Sequence, residues 1–187
     1  MTKTGVIHGR FQVLHNDHLR YLLAGKEKCL HLVIGITNPD PILTRDDPAE
    51  PHRSLPDANP LTYYERYLTL RAALLEAGFP FDAFSVVPFP INLPELYRYY
   101  LPLDATFFLT IYDLWGERKL QLFKSLNLKT EVLWRRTADA KGLSGALIRK
   151  KMLLGEPWEH LVPPSTVHFM KAWSIPARLK TIQATSF

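Results

Sequence analysis

Apolar positions along the chain fall into short, β-branched runs separated by stretches of helical periodicity. The runs are Gly5–His8, Leu30–Thr37, Ala83–Pro88, Ala105–Thr110 and Thr130–Trp134, with helical candidates at about His18–Lys28, Thr62–Ala77, Pro94–Leu101 and Leu114–Ser125. Such alternation predicts an α/β fold, a parallel sheet of about five strands with helices on both faces. In the helix Tyr63–Ala77, the apolar Tyr67, Leu70, Leu74 and Ala77 repeat with a period near 3.6, and Gly78 supplies the stop. Thr62 followed by Glu65 has the spacing of a capping box, which starts that helix from local interactions alone.

Two segments break the pattern. Asn38–Leu61 carries Pro39, Pro41, Pro48, Pro51, Pro56 and Pro60 among acids and the cations Arg45 and Arg53. It predicts a long loop leaving the carboxyl end of the second strand, the side on which open α/β sheets bind ligands, with a disordered excursion as the alternative. Beyond Arg149, Gly155, Pro157, Pro163 and Pro164 punctuate short helices, the last near Ser165–Trp173, expected to pack on the sheet. Residues 1–187 therefore read as one domain whose C-terminal helical part covers about 144–187.

Composition narrows the classes. A chain of 187 residues that is 47% hydrophobic can bury a sizeable core, and the single Cys29 excludes an internal disulfide. No apolar run approaches the roughly 18 residues of a membrane span, and Met1-Thr2-Lys3-Thr4 leads into a strand rather than a signal peptide, so a cytoplasmic protein is expected. The net charge of +5 and pI near 9.3 are spread along the chain, densest at Arg135-Arg136 and Arg149-Lys150-Lys151. They suit small phosphorylated substrates as well as nucleic acid, and no nucleic-acid motif is present.

Candidate chemistry concentrates in two places. Gly9-Arg10-Phe11-Gln12-Val13-Leu14-His15-Asn16-Asp17-His18 follows the first strand and opens the first helix, where phosphate binds in α/β sheets. His15 and His18 are spaced to share one helix face. Far downstream, Leu143-Ser144-Gly145-Ala146-Leu147-Ile148-Arg149 again runs from loop to helix with a cation in its first turns. Two such sites suggest a polyphosphate substrate. Nucleotidyl transfer needs positioning and charge stabilisation at the α-phosphorus more than covalent help. His15, His18, Arg10, Ser144 and Arg149 offer that without an obvious nucleophile or general base.

Gly9-Arg10-Phe11-Gln12 with His15-x-x-His18 resembles the GRFQPxHxGH signature of the nucleotidyltransferase superfamily with the HxGH motif, and Ser144 to Arg149 resembles its ISxTxxR motif. Gly155 to Pro163 is similar to the GEPWEELVP stretch of archaeal-type nicotinamide-nucleotide adenylyltransferases, and Thr62-x-x-Glu65-Arg66 to their TxxER. The resemblance implies a Rossmann-like fold with a short C-terminal helical extension. It implies that His15 and His18 contact the triphosphate, that Ser144 and Arg149 hold the β- and γ-phosphates, and that Gly9, Arg10, Phe11 and Gly145 line the nucleotide site. It also implies that Arg53 or Arg45 reaches phosphate, that Tyr97 stacks on a nicotinamide ring, and that magnesium bridges the phosphates without a nameable protein ligand.

Four departures bear on the substrate. Asp17 replaces the Gly of HxGH and Ala146 the Thr of the second motif. Thr110 to Arg118 stands where a TGN segment closes the nicotinamide pocket, and Pro88 to Asn92 where an acidic residue is expected. The expected reaction joins ATP to nicotinamide mononucleotide, giving NAD and pyrophosphate. The alternatives are a cytidylyl- or adenylyltransferase for another phosphate or phosphonate acceptor, and a non-catalytic nucleotide sensor. A homo-oligomer stays open, and neither nucleic acid nor membrane is expected as a partner.

Among the remaining candidates, His8 is read as packing or lining the pocket, and His31, His52, His160 and His168 as structural or solvated. Tyr99, Tyr100, Tyr112 and Trp115 are read as core, with Tyr97 alone at the acceptor. Asp17 is free to bind ribose or base or to act as a helix N-terminal acid. Asp113 and Arg118 either read the acceptor or form an exposed helix pair, and Asn38 and Asp40 either touch substrate or shape a turn.

Overall fold

The computed structural model describes residues 1–44, 55–137 and 142–185. Five strands, β1 (Thr2–Gly9), β2 (Cys29–Thr37), β3 (Phe84–Phe89), β4 (Thr106–Ile111) and β5 (Lys129–Arg135), form a parallel sheet in the order β3-β2-β1-β4-β5. The helices are α1 (Asn16–Lys26), α2 (Tyr63–Glu76), α3 (Leu114–Ser125), α4 (Gly145–Leu154), α5 (Pro164–Ala172) and α6 (Ile175–Thr185). The architecture is α/β and Rossmann-like, as the pattern predicts.

Alternation along β1 divides the core. Ile7 faces Leu22, Ile34, Leu70 and Leu74 on the side covered by α1 and α2, while Val6 faces Phe107, Leu109 and Phe123 on the side of α3. With both faces covered, the strands carry near-continuous apolar sequence. A third cluster joins Val13 to Ile148, Met152, Trp158, Met170 and Ile175, docking α4, α5 and α6 beside the first motif. The sheet winds outward in opposite directions from β1, so the crevice beyond the carboxyl ends of β1 and β4 is the switch point at which such sheets bind ligands.

Local expectations survive where local chemistry decides. The capping box of α2 is formed in both directions, Thr62 N–H to Glu65 Oε2 at 2.8 Å and Glu65 N–H to Thr62 Oγ1 at 3.2 Å. Arg178 of α6 then grips the same carboxylate through both Nη atoms at 2.7 Å, linking α2 to the C-terminal helices. Two elements differ. Pro94–Leu101, expected as an α-helix, is a 3-10 segment over Pro94–Tyr99, anchored by buried Tyr97. Ile175–Thr185 is a helix beyond the one expected to be last, separated from α5 by Ser174 in the left-handed region (φ 51°). Pro176 in its first turn lacks only an N–H that would go unbonded there, so it marks a helix start.

Candidate active site

The carboxyl end of β1 and the start of α1 build one wall of a cleft of about 470 Å³. A Cβ on Gly9 would meet the Phe11 ring at 2.9 Å, so glycine lets that ring fold back on the turn. His15 is the N-cap of α1, with its Nδ1 accepting the His18 N–H at 3.3 Å. That assigns the ring proton to Nε2, a donor available to a ligand. The His18 ring stacks on it, with centroids 3.6 Å apart and planes at 18°. Burial lowers the His15 pKa to about 4, with Asp17 partly opposing, and burial reinforced by His15 and Arg10 lowers that of His18. Both rings are therefore neutral donors at neutral pH until an anion enters.

The second motif closes the opposite wall. Ser144 is the N-cap of α4, its Oγ accepting the Leu147 N–H at 3.2 Å and keeping its own proton to donate. A Cβ on Gly145 would stand 2.2 Å from the Gln12 carbonyl oxygen, so only glycine allows α4 this close to the first motif. Arg149 Nη1 donates to that same carbonyl. Asp17 Oδ2 accepts the Leu143 N–H at 2.7 Å, while its Oδ1 pairs with Arg20 at 3.2 Å. The N-termini of α1 and α4, with their partial positive charge, thus open on one cleft.

Arg66, only 2% exposed, fixes the rim. It donates to the carbonyls of Arg10 (3.1 Å) and Thr37 (2.8 Å) through Nη1, of Asn38 (2.8 Å) and Pro39 (3.1 Å) through Nη2, and of Thr62 (3.2 Å) through Nε. Burial lowers its pKa to about 10, so it stays charged at neutral pH and adds positive potential behind the phosphate wall. The TxxER resemblance contained this residue but not its clamp, because its acceptors come from three separate segments.

Gly9, Arg10, Phe11, His15, His18, Ser144 and Gly145 all line the cleft, so those sequence candidates are brought together. Arg149 is buried against Gln12 behind the wall rather than lining it. Arg45 and Arg53 lie outside the described residues. Tyr97 departs from expectation: it is 2% exposed, packed edge-on against Phe89 and Phe123, with its hydroxyl donating to the Ile91 carbonyl at 2.5 Å. Its face is spent on the core and no ring is left for a ligand. Tyr112 and Trp115, read as core, line the cleft instead.

Other assignments resolve likewise. Asp113 is the N-cap of α3, accepting the Gly116 N–H at 2.9 Å, and Arg118 is exposed away from the cleft lining. Asp40 Oδ1 accepts the N–H groups of Ile42 and Leu43 at 2.8 Å, a turn role, while Asn38 lines the cleft. Sequence reasoning missed Asn92 and Lys119 on the cleft wall. Lys119 was legible only as the residue one turn beyond Trp115 on a helix that follows β4. Among the described residues no cluster of three or more His, Cys, Asp or Glu could hold a metal ion.

No family model matches the chain. It is 51% identical over 95% of its length, and 95% of the relative's, to a phosphonoformate cytidylyltransferase of Streptomyces viridochromogenes. It is 31% identical over 97% of its length, and 89% of the relative's, to a nicotinamide-nucleotide adenylyltransferase of Thermococcus onnurineus. Among solved structures, a bifunctional NMN adenylyltransferase/ADP-ribose pyrophosphatase of Francisella tularensis, complexed with AMP and a manganese ion, superposes with TM-score 0.66 at 14% identity, covering 96% of this chain. The chain spans about half of that protein, 52%, and the likeness is one of fold. With paired histidines and a serine-capped helix meeting on one cleft at the sheet's switch point, and with these relatives, the chain belongs to the nucleotidyltransferase family that holds phosphonoformate cytidylyltransferase and the archaeal nicotinamide-nucleotide adenylyltransferases.

Proposed function

We propose that this nucleotidyltransferase, acting as one domain over residues 1–187, transfers CMP from CTP to a small phosphonate acceptor of the phosphonoformate type and releases pyrophosphate. The observation that carries the reading is the make-up of the cleft beyond β4. His8, Asn92 and Lys119 line it, whereas Tyr97, assigned to a nicotinamide ring by resemblance, is buried in the core. A wall with a cation and polar groups suits a compact anion better than the flat, positively charged pyridinium ring of nicotinamide mononucleotide. The relative at 51% identity, named as a cytidylyltransferase, supports the same choice over adenylyl transfer to nicotinamide mononucleotide.

In this mechanism a phosphonate oxygen of the acceptor attacks the α-phosphorus as the bond to the bridging oxygen of pyrophosphate breaks. His15 and His18 donate ring N–H groups to the triphosphate where negative charge grows, and entry of that anion favours their protonation. Ser144 and the N–H groups of the first turn of α4 hold the outer phosphates, with Arg10 at the β1 turn. Arg53 is assigned to the same phosphates by resemblance, while Arg149, held against the Gln12 carbonyl behind the wall, is assigned to position the first motif and add positive potential there. A magnesium ion, if carried in on the substrate phosphates, would neutralise part of their charge. No helix among the described residues is long and apolar enough to cross a membrane. We assign the enzyme to the cytoplasm, where its triphosphate is found, without a nucleic-acid partner.

Pyrophosphate release is to be followed with CTP and ATP, each paired with phosphonoformate and with nicotinamide mononucleotide. CTP with phosphonoformate is expected to give the highest kcat/KM. Preferred turnover of ATP with nicotinamide mononucleotide would overturn the assignment.

A further inference from the structure

His8 occupies a position at which the fold calls for an apolar side chain. It follows Val6 on the same face of β1, pairs in register with Gly35, and packs edge-on against Phe89 and Phe123, with ring centroids 5.5 Å away in each case. It is 6% exposed, and among the described residues neither ring nitrogen has a hydrogen-bond partner. Burying two polar atoms unbonded is unfavourable, and a leucine or valine there would extend the apolar stripe at no such cost. The ring nevertheless lines the cleft together with Lys119, whose charge reaches it and whose ammonium Nζ lies over the Trp115 ring, 5.7 Å from its centroid.

We infer that His8 determines acceptor specificity, its imidazole and the Lys119 ammonium together forming the subsite for an anionic group that the acceptor carries apart from its attacking oxygen. The inference rests on the nucleotidyl-transfer reading and adds to it a demand for an acceptor with two anionic ends. The orphaned ring nitrogens then have a function: an oxygen of the bound carboxylate or phosphonate accepts the ring N–H and restores the missing hydrogen bond. The β1 position is well suited, because a strand residue this buried, with its ring held between Phe89 and Phe123, cannot swing away and so discriminates by geometry. His15 and His18, one turn further on, are left to the triphosphate.

The test uses the full chain with histidine rings labelled with nitrogen-15. Titration with phosphonoformate alone should move the His8 ring resonances saturably. His8→Phe should raise the acceptor KM by about 10- to 100-fold, the loss of one hydrogen bond to a charged group, with the CTP KM unchanged. His8→Gln, which keeps an N–H near the Nε2 position, should recover part of that loss. His8→Phe should also melt no lower than wild type, since it removes the unbonded nitrogens. The proposal is overturned if the His8 resonances are unmoved at saturating phosphonoformate, if His8→Phe leaves the acceptor KM intact, or if both KM values rise together. Should the wild type turn over no CTP with phosphonoformate, the proposed function fails, while the ring titration still decides the role of His8.

Discussion

Asp17 and Leu143 lie 126 positions apart in sequence, yet the Asp17 carboxylate accepts the Leu143 backbone N–H at 2.7 Å. That bond ties the loop before α4 to the first turn of α1 and so sets the width of the phosphate cleft. It leaves no room for a Cβ at Gly142, which would stand 2.4 Å from the same oxygen. The carboxylate that replaces the glycine of the related motif is thus a latch between the two motifs.

Asp17→Gly should therefore destabilise the protein by about 1.5–3 kcal/mol, the range for a hydrogen bond to a charged group, and raise the KM for the triphosphate. Asp17→Asn keeps a carbonyl oxygen for Leu143 and should lose less on both counts. Chemical denaturation and initial rates measure the two effects, and a triphosphate KM unaltered in Asp17→Gly would rule out the latch.

His18→Ala should lower kcat by about 10² or more, because its donor acts on charge that develops at the α-phosphorus. Its fold should survive, since the cap of α1 belongs to His15. His15→Ala should lose activity and also about 1 kcal/mol of stability with the cap. An unchanged rate in His18→Ala would remove that residue from the mechanism.

Stability should fall on acidification in a defined window. The His15 pKa is lowered from 6.5 to about 4 by burial, so the unfolded chain takes up its proton first as pH falls. The contribution of His15 is complete above pH 6.5, declines between there and about 4, and amounts to on the order of 3 kcal/mol. Burial lowers His8 and His18 as well, so they add in the same direction. Urea unfolding across this range should give a rising stability with pH in the ligand-free enzyme. His15→Asn, which retains a capping oxygen, should flatten the slope; a profile already flat in wild type would contradict burial of neutral rings.

Tyr97→Phe should leave the acceptor KM unchanged while reducing stability by about 1 kcal/mol, the net worth of its hydroxyl bond to Ile91. A rise in acceptor KM would return Tyr97 to the site.

Much of this was written into short-range chemistry. The alternation of β-branched runs with 3.6-periodic stretches decides the α/β class, because each strand and helix buries a face that its own residues define. Thr62 and Glu65 meet because they stand three positions apart, and both phosphate motifs are legible because each is contiguous along the chain. The role of Tyr97 was not legible, since nothing near it in sequence says that Phe89 and Phe123 enclose its ring. The helix Ile175–Thr185 was obscured by the proline in its first turn. By itself the amino-acid sequence determined most of the elements, the two motifs and the class of chemistry, all of which depend on neighbours within a turn or two. Only the tertiary structure decided that Asp17 latches Leu143, that Arg66 gathers carbonyls from three segments, and that the His8 ring nitrogens have no hydrogen-bond partner among the described residues. Those depend on which distant groups a close-packed interior brings within hydrogen-bond reach, and no local pattern encodes that.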